Sequence, residues 1–149
     1  MSDPTPKWDI EWILSMLPHR YPLLLVDRVL EIEPAKRIVA IKNVTINEPY
    51  FVGHFPGRPV VPGVLLIEGM AQAGGLLLLN DVPDRETKLL YFASIDEAKF
   101  RRPVVPGDQV RYEMEVLKLR RTYCKLAGKV TVDGELAAEA VISSVMVDR

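Results

Sequence analysis

Between Gly53 and Gly75 the chain reads GHFPGRPVVPGVLLIEGMAQAGG. A proline-punctuated loop carries His54, one of two histidines in the sequence, and Glu68 is then the only ionisable side chain between Val64 and Asn80. An imidazole needs little tuning to serve as a base near neutrality. A lone ionised carboxylate in hydrocarbon is costly, so Glu68 is expected to be paired, hydrogen-bonded or protonated. If its pKa is raised by burial, it becomes a proton donor. Gln72 lies four residues on, on the same helical face. Pro62 and Gly63 stand where loop becomes helix, and the amides there have no partner within the helix and sit at its positive end. Such an amide can hold a carbonyl oxygen, and holds it better as an oxyanion. Base, acid and amide together suit removal of a proton α to a carbonyl with departure of a β substituent. Each residue also has a plainer reading: His54 as loop scaffold, Glu68 as a water-bound carboxylate in a crevice, Gly63 as a turn. These residues leave the substrate open.

The elements that must position them are legible in outline. Ile10, Ile13, Leu14 and Leu17 share one helical face, and Pro18 ends that helix. PLLLVDRVLEIEP and RIVAIKNVTI read as two strands joined by a turn at Pro34–Lys36. After the apolar helix, KLLYFASIDEAKF reads as a strand, and QVRYEMEVLKL alternates with Val110, Tyr112, Met114 and Val116 on one side. The last two strands form a hairpin turned at Asp133-Gly134. Antiparallel strands around one helix apolar on nearly all faces predict an α+β domain in which a curved sheet wraps that helix. Gly69, Ala71, Ala73, Gly74 and Gly75 allow close approach of strands or of a second subunit. One sheet is expected to leave part of the helix bare, hence a dimer.

A chain of 149 residues fits a single domain spanning 1–149. With 19 basic and 20 acidic residues, net charge −1, nothing global points to nucleic acid. The single cysteine, Cys124, excludes an internal disulfide and is compatible with a reducing compartment. MSDPTPKWDIEW lacks the pattern of a secretory signal. The apolar helix is short for a membrane span and is interrupted by Glu68 and glycines. A cytoplasmic protein without membrane insertion is expected.

LPHRYPLLLVDRV (Leu17–Val29), the central motif GHFPGRPVVPGVLLIEGMAQ (Gly53–Gln72) and FRRPVVPGDQV (Phe100–Val110) closely resemble the bacterial 3-hydroxyacyl-[acyl-carrier-protein] dehydratases of the FabZ type, and the similarity runs from about Trp8 to Val147. The resemblance implies a hot-dog fold, pairing of two units into one continuous sheet, and a trimer of dimers. It implies dehydration of (3R)-3-hydroxyacyl thioesters to trans-2-enoyl thioesters during fatty-acid elongation. The partner is acyl carrier protein, whose phosphopantetheine arm bears the chain; no metal or redox cofactor is implied. By the same resemblance His54 removes the α-proton, Glu68 assists loss of the β-hydroxyl, and the Gly63 amide holds the thioester carbonyl, with the two catalytic side chains coming from opposite subunits. Val64, Gln72 and Tyr91 are the further expected substrate contacts, Tyr91 beside the acyl tunnel. Lys99, Arg101 and Arg102, with Arg120 and Arg121, form the candidate docking patch for the acidic carrier. His19, between Pro18 and Pro22 in a helix-to-strand corner, is expected to be structural. Gly69 stands where the family often has alanine, which is expected to loosen helix packing slightly.

Three other readings stay open. A dehydratase–isomerase of the same fold carries aspartate in place of Glu68. A hot-dog thioesterase would release free fatty acid. A non-catalytic acyl-thioester sensor gains little from a buried acid and lacks an output module here.

Overall fold

The apolar run after Pro62 forms α2, Gly63–Leu79, and from Leu66 onward nearly all of it is buried within one chain. Pro62 at the N-cap and Asn80 at the C-cap bound it. The computed structural model describes residues 7–149, so the first half of MSDPTPKWDIEW lies outside the described residues. Ahead of α2 come α1 (Ile10–Met16), capped by the Asp9 carboxylate accepting from the Trp12 amide, then β1 (Arg28–Glu33) and β2 (Arg37–Asn43). After it come β3 (Lys88–Phe100), β4 (Gln109–Arg120), β5 (Tyr123–Val132) and β6 (Glu135–Asp148). They make one antiparallel sheet in the order β1-β2-β4-β5-β6-β3. α2 packs on β2, β4, β5 and β6. The β5–β6 turn has positive φ at both Asp133 and Gly134, the signature of the tightest hairpin turns.

β1 starts later than the apolar run of Leu23–Val26 predicts. The Leu25 amide donates to the Gln72 side chain, 2.8 Å, instead of joining a ladder, so this stretch is tied to α2 rather than to the sheet. The helix is also less bare than expected, because small residues let the sheet close on it. A methyl at Gly74 would stand 2.6 Å from Leu126 Cδ1. The apolar surface left open lies elsewhere: β3 is a sheet edge, and Tyr91, Phe92, Ile95 and Phe100 along it are 42–56% exposed.

Gly69 corrects an expectation. A methyl there would lie 2.2 Å from the Tyr112 hydroxyl and 2.4 Å from its Cζ, so Tyr112 already fills the space alanine would occupy. Tyr112 cannot easily retreat, being fully buried with its hydroxyl donating to the Leu25 carbonyl at 3.0 Å. Packing here is tight, not loose. Gly69→Ala should therefore lower stability by up to about 2 kcal/mol in denaturant melts, an overpacking strain of about 1–3 kcal/mol offset in part by the ~1 kcal/mol gain in helix propensity.

Candidate active site

His54 is held on three sides by its own loop. Its amide donates to the Tyr50 carbonyl and its carbonyl accepts from the Val60 amide, both at 3.0 Å. Its Nδ1 lies 2.7 Å from the Val60 carbonyl oxygen. A carbonyl only accepts, so Nδ1 carries the hydrogen and Nε2 keeps its lone pair. The Phe55 ring stacks on the imidazole with centroids 4.0 Å apart. In that tautomer Nε2 carries the ring's lone pair.

His54 lines a groove of about 560 Å³ together with Gly63, Val64, Phe100, Arg101 and Arg102, and with Val60, Val61, Leu66, Pro103 and Val104. Gly63 opens α2, so its amide and that of Val64 have no partner within the helix. The Phe100 ring lies over Gly63, 2.8 Å from where a methyl would project. Side-chain bulk at this position would push the ring into the groove.

Glu68 occupies another cavity. Its Oε2 accepts from Gln72 Nε2 at 2.8 Å, and the other Nε2 hydrogen goes to the Leu23 carbonyl at 2.7 Å. Gln72 Oε1 accepts from the Leu25 amide. With both amide hydrogens engaged, Gln72 holds the carboxylate and the Leu23–Leu25 segment rather than reaching into the cavity. The cavity, about 310 Å³, has a polar end at Glu68, Gln72 and His19 and an apolar floor of Gly75, Leu79, Leu89 and Leu90, with Tyr91 on its wall. Residues 68, 72, 75 and 79 recur at helical spacing, so one face of α2 forms its length.

The lining of this cavity shares no residue with that of the His54 groove. Within one chain, then, His54 and Glu68 line separate cavities. Val64, 70% exposed and one turn before Glu68, lines the groove only. β3 connects the two places, contributing Leu89–Phe92 to the Glu68 cavity and Phe100 to the His54 groove.

The basic residues do not form one patch in the protomer. Lys99 pairs in register with Glu139 on β6, whereas Arg120 pairs with Tyr123, which stands opposite Val145. Six residues of β6 separate the two groups, roughly 20 Å. Arg101 bonds Glu139 at 2.8 Å, and Arg102 bonds Glu135 at 3.1 Å with Asp108 at 3.5 Å.

His19 is the feature missed from sequence. It lies in the Glu68 cavity, with Nε2 3.5 Å from Glu68 Oε2. Cys124 is buried, and burial pushes its thiol up to about 11, so it is not a thiolate nucleophile. Among the described residues no three His, Cys, Asp or Glu side chains are grouped to hold a metal, and no helix is long and apolar enough to cross a membrane.

The model of the FabA-like domain matches residues 17–141. The 3-hydroxyacyl-[acyl-carrier-protein] dehydratase FabZ of Koribacter versatilis is 56% identical over 149 residues, covering 100% of this chain and 96% of that protein. The enzyme of the same name from Bordetella pertussis is 56% identical over 137 residues, 89% of this chain and 91% of that one. Among solved structures, the dehydratase heterocomplex ApeI:P of Xenorhabdus doucetiae superposes with a TM-score of 0.79 at 16% identity, over 92% of this chain and 91% of that one. A thioesterase superfamily member from Thermus thermophilus superposes at 0.63 with 19% identity, over 79% and 85%. At these identities the two structures establish the fold alone.

Gln72 is the support on which the Glu68 half depends. Gln72→Leu leaves the buried Leu25 amide without its partner, and such an orphan costs about 1–3 kcal/mol, whereas the carbonyl of the exposed Leu23 can turn to water. A loss of about 1–3 kcal/mol in urea unfolding is expected.

Proposed function

The chain belongs to the FabA-like family and, within it, to the FabZ-type 3-hydroxyacyl-[acyl-carrier-protein] dehydratases, and from that premise we propose how its own residues carry the reaction. It is a hydro-lyase of fatty-acid biosynthesis that dehydrates 3-hydroxyacyl chains on acyl carrier protein. The substrate is the (3R) thioester and the product the trans-2-enoyl thioester.

The observation that carries the mechanism is that His54 with Gly63 and Glu68 with Gln72 line separate cavities of one chain, both bordered by the exposed edge strand β3. A long, exposed, apolar edge strand invites pairing with another strand. Two β3 strands meeting antiparallel about a twofold axis near Ile95–Asp96 bring Tyr91 of one chain beside Phe100 of the other. The isologous contact then sets each Glu68 cavity against the His54 groove of the partner subunit, making two sites from two chains. The exposed side chains of Tyr21, Ile46 and Val52 offer further apolar surface for association of dimers into a trimer of dimers.

In each site the thioester carbonyl accepts from the Gly63 amide, beside Val64. His54 Nε2 takes the α-proton, and the electron pair of that C–H bond becomes the new C=C bond. Glu68 of the partner subunit, directly or through water, gives its proton to the β-hydroxyl, which leaves as water when the C–O bond breaks. The acyl tail lies along the cavity past Tyr91, Gly75 and Leu79. Enolate charge on the carbonyl oxygen is met by the helix terminus, where fixed donors act without reorganising.

Lys99, Arg101 and Arg102 flank the groove where the carrier's arm enters and form the docking surface for an acidic carrier. Their pairing with Glu135, Glu139 and Asp108 tempers that attraction, so the steering is modest. Arg120 and Arg121 lie on a separate surface of the protomer. A cytoplasmic setting, where a single buried thiol stays reduced, completes the proposal.

His54→Ala and Glu68→Gln should each slow dehydration at least ~10²-fold in an assay that follows enoyl thioester formation on the carrier, with the fold retained. Wild-type activity in either variant refutes the assigned roles, and free fatty acid as the product refutes the lyase assignment. Ile95→Lys should weaken the dimer on size-exclusion chromatography and lower activity in parallel. A fully active monomer would contradict the two-chain site.

A further inference from the structure

His19 and Glu68 come from segments 49 residues apart and meet in one cavity, Nε2 to Oε2 at 3.5 Å. The approach is built by the tertiary fold. Leu23 and Leu25 are both bonded to Gln72, which fixes the segment that follows His19 against the face of α2 bearing Glu68. On the other side the Arg20 guanidinium donates to the carbonyls of Leu14, Leu17 and His19, so the corner is tied to α1 as well. The imidazole therefore has little freedom to leave the carboxylate.

Its other nitrogen is informative. Nδ1 is buried and, among the described residues, has no hydrogen-bond partner. A hydrogen on Nδ1 would be a stranded donor, whereas a bare Nδ1 lone pair puts the hydrogen on Nε2, the nitrogen that lies 3.5 Å from Glu68 Oε2, a little beyond an ordinary hydrogen bond. A doubly protonated ring would strand a donor and a charge together. Burial is the largest influence on His19 and lowers its pKa below the ordinary 6.5; the Glu68 carboxylate opposes this, and Arg20 adds to it. The titratable groups facing the ring are Glu68 from α2, Arg20 on its own segment, and Lys88 and Tyr91 of β3 across the cavity. In the dimer His54 of the partner subunit joins them.

Given the role proposed for Glu68, we propose that His19 is a positioning residue for the acid. As a neutral Nε2–H donor it shares Oε2 with Gln72, so that the carboxyl turns its other oxygen, Oε1, toward the β-hydroxyl. A His19 serving only the scaffold would instead spend its nitrogens on backbone groups, and neither does so.

Two arms test this. In the kinetic arm, His19→Leu should lower kcat about 10-fold or more, within the ~10²-fold that misplacing a reacting group can cost, while KM stays within about 2-fold. His19→Gln, whose amide places an N–H near the position of Nε2, should recover most of that loss. A folded, dimeric His19→Leu enzyme with wild-type kcat overturns the proposal, and so does a His19→Gln enzyme as impaired as His19→Leu. The second arm does not depend on that variant's folding. The chain has only two histidines, so ring-nitrogen NMR resolves both, with His54→Ala giving the assignment. His19 should be the Nε2–H tautomer, and its titration midpoint should fall in Glu68→Gln, since the negative charge that favours its charged form is gone. An Nδ1–H tautomer or an unmoved midpoint overturns the proposal. The mechanism is judged separately: if Glu68→Gln turns over normally, the acid assignment falls, while the NMR result still decides whether His19 and Glu68 are coupled.

Discussion

A carboxylate on a helix otherwise sealed in hydrocarbon must be held by its neighbours, and the buried amide of Gln72 does that here. One side chain, 2% exposed, bonds the Leu25 amide, the Leu23 carbonyl and Glu68 Oε2. Those three bonds define the Glu68 half of the site. They hold an irregular segment against α2, where its backbone would otherwise lack partners, and they fix which carboxylate oxygen remains available. Tyr112 reinforces the same segment through the Leu25 carbonyl, and it fits only because position 69 has no side chain. Stability and acid placement thus rest on the same few atoms.

The His54 half follows a different logic. A proline-rich loop, closed by backbone bonds on either side of the histidine, uses one carbonyl to choose the tautomer. The helix terminus beside it provides amides whose hydrogens have no helical partner. Within one chain the two halves line separate cavities. The strand that links them is the exposed edge of the sheet, with apolar side chains along its length. In the proposed dimer the surface that pairs two copies is the same surface that lies between His54 and Glu68, so assembly and catalysis would be one requirement.

Much of this was legible in the sequence. The alternation of β4, the Asp133-Gly134 turn and the lone charge in α2 each have a local cause, and each predicted its element. The late start of β1 did not, because the bonds that replace its ladder come from Gln72, dozens of residues away. The looseness expected at Gly69 was wrong for a similar reason: the atom filling the space belongs to Tyr112 on β4. His19 was read as scaffold because two flanking prolines explained it locally. Its nearness to Glu68 depends on a fold-level contact that spacing along the chain does not encode. The five arginines and lysines likewise read as one patch in sequence, while the sheet register sets them at separate ends.

The central claim is that one working site draws its base and its acid from two chains. Mixed dimers carrying His54→Ala in one chain and Glu68→Gln in the other, isolated by two different affinity tags, test it directly. Such a dimer holds one site with both lesions and one with neither, so about half of the wild-type activity per dimer should return. If isolated mixed dimers stay as inactive as the two parents, base and acid act within a single chain and the two-chain site is wrong.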